Sequence, residues 1–458
     1  MISSISCILA KARPVSILLL FLFIHVVSYS QGDLRNLLEG NWEGAFIKGR
    51  TQQRLDISFY SEGKTLQSLQ VIEDWHPQFG EFVLPAEIDS AGNVSMSTGY
   101  GQAKLQMDTL TLELIGALEE TDPVTYIHLK KVPQKPVSTT NVTLHEIKTA
   151  GLTLQGHLHQ PKFNDSKTLI INVGGRGCYA GATQYDLYGK TLSPYGISTF
   201  AYHKRGTGNS EGDCDAATID DLAKDLAAVK EYFSADKFSF EKIGVIGSSA
   251  GGWVIMKASE ISNFDFYVSV VGPSTSVYEQ QMESLEEGIG FFDLSDEAKQ
   301  ELIEYTDLVF DAPANKKSFK RFNELLLSAN EKGWVELLAD TDVPKSIAGI
   351  DSLWVRRHNY DPKEALEKCE VPFLAIYGGN DWIVPYKSNV KRLEETFTGS
   401  RRELLTTAVI PLAGHSTEVE EGRQNLDGET SYWRFFQISP YARIALIDFL
   451  VSRGLTSE

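Results

Sequence analysis

Beyond residue 140 the chain alternates short, wholly apolar segments with longer segments of helical periodicity. One longer segment, Asp220–Phe233, places its apolar residues on one helical face. Strands buried on both faces read as apolar runs, and their alternation with helices requires a mostly parallel sheet. The pattern predicts an α/β fold with a hairpin at Val142–His159, followed by strands at Thr168–Val173, Ser198–Tyr202, Ile243–Gly247, Phe266–Val271, Phe373–Tyr377 and Glu403–Ile410.

The alternation stops between residues 273 and 361, where charged, helix-favouring sequence contains no strand pattern. A long insertion after a strand of such a sheet usually lies over the edge that carries the active site. We therefore expect a helical cap over this range, and we expect it to shape the substrate cavity.

The sequence before residue 135 has a different pattern, in which short alternating stretches are separated by Gly, Asn, Asp and Pro turns. The proline-containing stretch Val132–Pro136 disfavours both a continued strand and a buried helix, so we place a linker there. The α/β unit then covers residues 140–456. A small all-β domain is expected over residues 31–135, with strands at Arg54–Tyr60, Ser68–Glu73, Leu105–Leu114 and Thr125–Lys130.

The first 30 residues have the organisation of a secretion signal. Lys11 and Arg13 precede the apolar run Val15–Val27, and small residues stand at Ser28 and Ser30. Because the run is shorter than the roughly 20 residues that span a bilayer, we expect cleavage and export to the periplasm or the medium rather than a membrane anchor. Cleavage would change the formal net charge from −18 to −20. A protein this acidic is not expected to bind nucleic acid or anionic membrane surfaces.

The central motif is the G-x-S-x-G sequence Gly247–Gly251, which carries Ser249. It follows the apolar strand Ile243–Gly247 directly and opens an apolar helix, as the strained strand-to-helix turn of a nucleophilic serine requires. A second match, Gly208–Gly212 around Ser210, lies in a polar loop several residues beyond its strand. The context therefore favours Ser249 as the nucleophile and a turn role for Ser210.

A serine hydroxyl needs a neutral imidazole to take its proton, and in this arrangement the chain order is serine, acid, histidine. Only His358 and His415 follow Ser249. His358 lies in the expected cap, where a surface or packing role is the simpler interpretation. His415 comes just after the last predicted strand, in a loop that can reach across the sheet edge, and is the predicted general base.

The acid is expected at the end of the preceding strand, where a glycine-rich turn leads to Asp381. A carboxylate at this place fixes the imidazole tautomer and stabilises the protonated ring. Asp361 precedes that strand and Glu403 begins the next one, so both are less well placed. Asp381 is the predicted orienting acid, and a simple turn role is the alternative.

The tetrahedral oxyanion of acyl transfer needs two preorganised N–H donors. One is expected from Ala250, the residue after the nucleophile, and the other from the glycine-rich loop Gly174–Cys178, where Arg176 is favoured and Gly175 is possible. The loop has neither the dinucleotide pattern G-x-G-x-x-G nor a G-K-[ST] ending, so a dinucleotide- or phosphate-binding loop is not favoured.

Together these residues resemble the α/β-hydrolase superfamily over residues 140–456, and more closely the EstD-type bacterial esterases and the serine-aminopeptidase-like hydrolases. The resemblance implies hydrolysis of a small acyl ester through an acyl-enzyme, without a metal or an organic cofactor. Relatives often have His-Gly-Ser-Gly in the oxyanion loop and His at the position of Ser248, so this chain departs from their pattern. The motifs that carry the similarity are the elbow at Ser249, the loops Gly174–Gly177 and Lys204–Ser210, and Asp361-Pro362 leading into Val371–Gly378.

Three cysteines remain after signal cleavage, and Cys178, Cys214 and Cys369 lack the spacing of metal ligands. Cys178 and Cys214 lie in two loops expected at the same edge of the sheet. Their pairing in a disulfide is a hypothesis that fits an exported protein.

A peptidase or aminopeptidase would use the same three catalytic residues and is the main alternative function. Its substrate's amino group would need an acidic site, although a solvated helix face is the simpler explanation of the acidic residues in the expected cap: Glu279, Glu283, Glu286 and Glu287.

A non-catalytic binding protein is the second alternative, with function carried by the all-β domain. Trp42, Tyr60 and Trp75 could line a ligand surface there, although core packing is the simpler interpretation. The residues carry no signal for the acyl chain length, the natural substrate or the oligomeric state.

Overall fold

The computed structural model describes residues 30–457 except for 50, 73–80, 120, 134–138, 182, 291–293, 419–421, 425–429, 433–434 and 436. Residues 1–29 of the predicted signal peptide lie outside this part. Among the described helices, none combines the length and the apolarity that crossing a bilayer requires.

The N-terminal part is a closed antiparallel barrel preceded by helix α1 (Gln31–Leu38). Each strand pairs with its neighbour in the chain, and the first strand also pairs with the eighth, which closes the barrel. The predicted small all-β domain is therefore confirmed. Its strands are β1 (Gly40–Lys48), β2 (Thr51–Glu62), β3 (Thr65–Ile72), β4 (Glu81–Ile88), β5 (Asn93–Thr98), β6 (Gly101–Asp108), β7 (Glu113–Leu118) and β8 (Thr125–Val132).

One predicted strand, Leu105–Leu114, is wrong, because it spans the turn between β6 and β7. The Asp108 carboxylate accepts hydrogen bonds from the backbone N–H groups of Leu110 and Thr111, at 2.8 and 3.1 Å. An aspartate that bonds the backbone two and three residues ahead bends the chain into a turn.

The aromatic residues proposed for a ligand surface have different positions in the barrel. Trp42 is fully buried in the barrel core, and its indole N–H donates to the Leu38 carbonyl at 2.7 Å. Tyr60 is 38% exposed, and Trp75 lies outside the described residues. The packing interpretation therefore holds for Trp42.

The α/β unit is built on an eight-stranded sheet in the order β16-β15-β14-β13-β11-β12-β10-β9. The hairpin β9–β10 is antiparallel and joins β12 antiparallel, while the remaining neighbours pair in parallel, so the predicted mostly parallel sheet is confirmed. The last strand begins at Leu405 and not at the predicted Glu403, because Gly399–Leu404 forms a 3-10 helix. The strands are β9 (Thr140–Thr149), β10 (Leu152–Pro161), β11 (Thr168–Val173), β12 (Ile197–Tyr202), β13 (Lys242–Ser248), β14 (Tyr267–Val270), β15 (Phe373–Gly378) and β16 (Leu405–Ile410).

Helices cover both faces of this sheet, because successive residues of the buried strands point to opposite sides. In β11, Leu169 and Ile171 pack with α3 and α4, whereas Ile170 packs with α2 and α11. A short sheet of β17 (Gly422–Gln424) and β18 (Thr430–Tyr432) follows β16. The helices are α2 (Leu187–Leu192), α3 (Ile219–Phe233), α4 (Gly251–Ser259), α5 (Val277–Ile289), α6 (Asp296–Asp311), α7 (Lys316–Lys332), α8 (Trp354–Arg357), α9 (Lys363–Glu367), α10 (Tyr386–Thr396) and α11 (Pro440–Ser452).

Residues 273–361, called the helical insertion from here on, separate β14 from β15. Their described part consists of α5–α8 with short 3-10 helices and loops and contains no strand. Leu302, Tyr305 and Phe322 of the insertion belong to the buried cluster on the α3 and α4 face of the sheet. The insertion therefore packs on that face.

The barrel contacts the α/β unit through Phe435, in the segment between β16 and α11. The Phe435 ring is buried in the barrel core, with centroids 6.1 Å from Phe46 and 5.5 Å from Tyr100. Four residues later the Ser439 N–H donates to the Thr417 carbonyl at 2.8 Å. Thr417 and Ser439 are therefore paired with each other, whereas Phe435 between them in sequence lies in the barrel core.

Candidate active site

Ser249 lies at the turn between the central strand β13 and helix α4. Its backbone is in the left-handed region, with a φ of 52°, which is a strained conformation for a residue with a side chain. The glycines around it leave no room for side chains. A Cβ atom on Gly247 would lie 2.5 Å from the Gly251 carbonyl oxygen, and one on Gly251 would lie 2.7 Å from that of Val173. The G-x-S-x-G spacing is therefore a packing requirement of this turn.

The three residues predicted for catalysis are hydrogen-bonded in a continuous chain. His415 Nε2 is 2.8 Å from Ser249 Oγ, and His415 Nδ1 is 2.8 Å from Asp381 Oδ2. The Asp381 side chain is fully buried, and its Oδ1 accepts the backbone N–H groups of Ile383 and Val384, each at 2.9 Å. Since an ionised carboxylate only accepts, Nδ1 carries the imidazole proton and Nε2 presents a lone pair to the serine hydroxyl.

The other candidates lie in structural positions. Ser210 Oγ donates to the His203 carbonyl at 2.7 Å and accepts from the Gln155 N–H at 2.9 Å, so this serine ties its loop to β10. Asp361 is half exposed, and its carboxylate accepts the Lys363 N–H at 3.0 Å.

His358 is a packing residue of the helical insertion. Its ring is 5% exposed and stacks on Trp354, with centroids 4.3 Å apart. Burial lowers the pKa of His358 to about 4. Because a histidine with this pKa is uncharged near neutral pH, His358 is a neutral part of the core.

The predicted oxyanion loop passes directly beside the serine. A Cβ atom on Gly175 would lie 2.9 Å from the Cβ of Ser249, so only glycine allows this approach. In the described part of the chain, the backbone N–H groups of Arg176 and Ala250 have no hydrogen-bond acceptor. Two N–H groups next to a serine hydroxyl are thus available to a ligand.

Two side chains, those of Lys204 and Arg176, fix the position of the loop Gly174–Cys178. Lys204 Nζ donates to the carbonyl oxygens of Gly175 and Gly177, at 2.6 and 3.0 Å. Burial lowers the pKa of Lys204 to about 8. The Arg176 guanidinium forms a 2.6 Å ion pair with Asp342 and lies 4.1 Å from the Trp354 ring centroid, so the loop is attached to the helical insertion.

The disulfide that the sequence left as a hypothesis is present. Cys178, at the end of the oxyanion loop, is bonded to Cys214, with Cα atoms 5.7 Å apart. Cys369 has a free thiol and is buried. The disulfide attaches the oxyanion loop to the loop that carries Lys204.

A cavity of about 350 Å³ opens onto Ser249 and His415. None of its described lining residues belongs to the helical insertion, so the expectation that the insertion shapes this cavity is wrong for the part of the chain described. The insertion lines a smaller neighbouring space of about 50 Å³ beside Arg176. The larger cavity is lined mainly by residues of α2, the strand ends and α11, including Leu187, Tyr188, Val270, Val271, Ile376, Ile383, Ile438, Ala442 and Leu446.

Sequence reasoning missed two parts of this site. Lys204 belongs to a motif of the family resemblance, but no local pattern indicates that its ammonium reaches the Gly175 and Gly177 carbonyls. The contribution of Ala442 and Leu446 was also missed, because the side of α11 that meets the cavity is decided by packing. The sequence signal that could have pointed to Lys204 is its place just after the strand Ser198–Tyr202, where the edge of the sheet is expected.

The sheet order, the strained strand-to-helix turn at Ser249 and the helices on both faces define the class of protein, the α/β-hydrolase fold. A family model described as "Serine aminopeptidase, S33" matches residues 164–282. A bifunctional esterase/perhydrolase of Acinetobacter calcoaceticus is 25% identical over 231 residues, which is 50% of this chain and 80% of that protein. These matches confirm the resemblance to α/β-hydrolases and to hydrolases of the esterase-like family.

Solved structures were also found to be similar. An esterase of Pyrococcus furiosus is 16% identical, with a TM-score of 0.42, over 69% of this chain and 92% of that one. A proline iminopeptidase-related protein of Thermus thermophilus is 16% identical, with a TM-score of 0.41, over 68% of this chain and 98% of that one.

Proposed function

We propose that this protein is a serine hydrolase that cleaves carboxylic esters through an acyl-enzyme. The observation that carries the proposal is the unbroken hydrogen-bond chain from Asp381 through His415 to Ser249. A serine that merely formed a turn would not need an imidazole at 2.8 Å held by a fully buried carboxylate.

In the proposed reaction Ser249 Oγ attacks the acyl carbon while His415 Nε2 takes its proton. The carbonyl oxygen becomes an oxyanion and is bound by the N–H groups of Arg176 and Ala250. The intermediate then expels the alcohol, which takes the proton back from His415. Water repeats the sequence on the acyl-enzyme and releases the acid and free Ser249.

Charge in the cavity favours esters over peptides with a free amino terminus. An aminopeptidase needs a carboxylate for its substrate's ammonium group, yet the described lining residues include Arg176 and Arg443 and no Asp or Glu. Of the acidic residues in α5, Glu279 pairs with Arg392 at 2.8 Å, and Glu283 accepts from Ser388 at 2.6 Å. Both carboxylates are bound to residues of α10, so they are not free to bind a substrate ammonium group. This supports ester hydrolysis over aminopeptidase activity.

The test is hydrolysis of p-nitrophenyl butyrate together with labelling by a fluorophosphonate probe. We expect Ser249→Ala to lose labelling and to lower kcat by at least about 10⁴-fold. Ser210→Ala removes the serine of the second G-x-S-x-G match and should still be labelled. Undiminished activity in Ser249→Ala would overturn the assignment, and absent labelling of the wild type would favour a non-catalytic binding protein. Faster cleavage of an aminoacyl p-nitroanilide than of the ester would favour the aminopeptidase.

We further propose that the protein is exported. The disulfide between Cys178 and Cys214 supports this, because disulfides persist in oxidising compartments. Expression of the full chain in a bacterial host should yield a periplasmic or secreted product whose amino terminus lies near residue 31. A full-length product retained in the cytoplasm would contradict export.

A further inference from the structure

The cavity at Ser249 is apolar along most of its wall. Most of its aliphatic and aromatic side chains belong to, or pack against, the buried cluster between the sheet and helices α2 and α11. A polar or charged group placed against such a wall would lose its hydration without gaining partners. The residues concerned are Leu187, Tyr188, Val270, Ile376, Ala442 and Leu446.

The size of the cavity limits what it can hold. A volume of about 350 Å³ is within the range of small-molecule sites. If a methylene takes about the 30 Å³ of a water molecule, roughly ten such groups fit.

We propose that this cavity binds one apolar arm of the substrate, an alkyl or aryl group of up to about ten carbons on either the acyl or the alcohol side. The inference rests on the proposed ester hydrolysis and names its substrate class. Burying one methylene contributes about fourfold to binding, so kcat/KM should rise by up to that factor per carbon until the cavity is full.

Two ester series test the proposal and identify the arm. One is p-nitrophenyl esters with acyl chains of two to twelve carbons, and the other is acetates of alcohols of the same lengths. Ala442→Phe places a ring in the cavity, and Leu446→Ala enlarges it. Ile444→Phe is the matched control, because this half-exposed residue of α11 is not among the described lining residues.

In one series kcat/KM should rise with chain length in the wild type. Ala442→Phe should then lower kcat/KM at least about tenfold for eight carbons and at most about threefold for two carbons. Leu446→Ala should move the optimum to longer chains. A kcat/KM that does not change with chain length in either series, or an optimum chain length that neither variant moves, overturns the inference. The proposed function still holds in that case if the wild type hydrolyses short esters and Ser249→Ala does not.

A second inference rests on the contacts of Lys204. The Gly175 carbonyl and the Arg176 N–H belong to one peptide unit, and in a trans peptide they point in opposite directions. Lys204 Nζ holds the Gly175 carbonyl at 2.6 Å and the Gly177 carbonyl at 3.0 Å. Because these carbonyls are fixed toward the ammonium, the Arg176 N–H is turned away from it.

We infer that Lys204 is a positioning residue that aims the Arg176 N–H at the oxyanion, which also rests on the proposed function. The close approach of Gly175 to Ser249 places this peptide beside the reacting atoms. Without Lys204 the peptide unit can rotate, and the donor is lost for part of the time. Removing one oxyanion donor lowers kcat by about 10²–10³-fold, so a loosened donor should cost about 10–100-fold.

The test compares two variants. Lys204→Met keeps about the same side-chain length but has no N–H donor, whereas Lys204→Arg keeps a positively charged group with N–H donors. Lys148→Met is the control, because this exposed lysine of β9 donates to Thr153 Oγ1 in the neighbouring strand β10. Each variant is assayed for kcat, KM and affinity for a trifluoromethyl ketone, whose hemiketal carries an oxyanion. Lys204→Leu, which also lacks a donor, replaces the methionine variant if the latter does not fold.

We expect Lys204→Met to lower kcat and ketone affinity about 10–100-fold with KM within about twofold, and Lys204→Arg to recover most of the loss. If Lys204 had a purely structural role, Lys204→Met would change KM or the melting temperature and would not specifically weaken binding of the ketone. Unchanged kcat and ketone affinity in a folded Lys204→Met, with the wild type active and Ser249→Ala inactive, overturns this inference alone.

Discussion

Asp381→Asn is the substitution for which the structure makes the sharpest prediction. The Ile383 and Val384 N–H groups both donate to Asp381 Oδ1, so an asparagine must place its carbonyl oxygen there. The opposite rotamer would leave two buried N–H groups unpaired, at about 1–3 kcal/mol each. The asparagine NH₂ group therefore faces His415 Nδ1.

This arrangement reverses the tautomer of the imidazole. An NH₂ donor at Nδ1 requires a lone pair there, which moves the ring proton to Nε2, the atom 2.8 Å from Ser249 Oγ. An Nε2 that already carries a proton cannot accept that of the serine. In triad hydrolases the same exchange lowers kcat by about 10⁴-fold, equivalent to about 5.5 kcal/mol.

The assay is kcat for p-nitrophenyl butyrate, with KM and melting temperature measured in parallel. We expect kcat to fall about 10⁴-fold, with KM and the melting temperature nearly unchanged because the two side chains are isosteric. Asp361→Asn is the matched control and should keep full activity, since Asp361 caps the chain near Lys363 and pairs with Arg392. An Asp381→Asn enzyme that retains more than about a tenth of wild-type kcat would refute the tautomer argument.

Two further predictions concern stability. Reduction of the disulfide, or the double change Cys178→Ser with Cys214→Ser, should lower the free energy of unfolding by about 2–4 kcal/mol, because the bond closes a loop between residues 36 apart. Urea unfolding with and without reductant measures this, and an unchanged wild-type midpoint would contradict it. Burial lowers the pKa values of His157 and His358 to about 4, below the 6.5 of the unfolded chain. Their contribution to stability is therefore complete above pH 6.5 and is lost as the pH falls toward 4, by about 1.4 kcal/mol per pH unit for each histidine. Urea unfolding at pH 7 and pH 5 should show this loss, His358→Gln should show less of it, and equal midpoints at both pH values would refute it.

Much of the fold was predictable because its causes are local. The strands of the parallel sheet are buried on both faces, so they read as apolar runs, and β11, β13 and β15 lie where those runs are. The end of β6 was missed although Asp108 carries a turn signal. The start of β16 was missed because the preceding 3-10 helix, Gly399–Leu404, has no distinct sequence pattern.

The positions of Ser249, Asp381 and His415 follow from chain order, because each comes just after a strand end at one edge of the sheet. Their hydrogen bonds do not follow from it, since distances across an edge depend on strand pairing and loop paths. The predicted oxyanion loop likewise has one feature that the sequence shows and one that only the folded chain shows. Its glycines are visible in the sequence, whereas the reach of Lys204 from another loop is a property of the folded chain.

The amino-acid sequence by itself determined the α/β class and the all-β unit before it, and it predicted the three side chains, Ser249, Asp381 and His415, that the structure joins by hydrogen bonds. Periodicity and strand-end position are properties of neighbouring residues. Only the tertiary structure decided that the barrel closes, that Cys178 meets Cys214 and that α2 and α11, and none of the described residues of the helical insertion, line the cavity at Ser249. These outcomes depend on contacts between residues far apart in the chain, which local propensities do not encode.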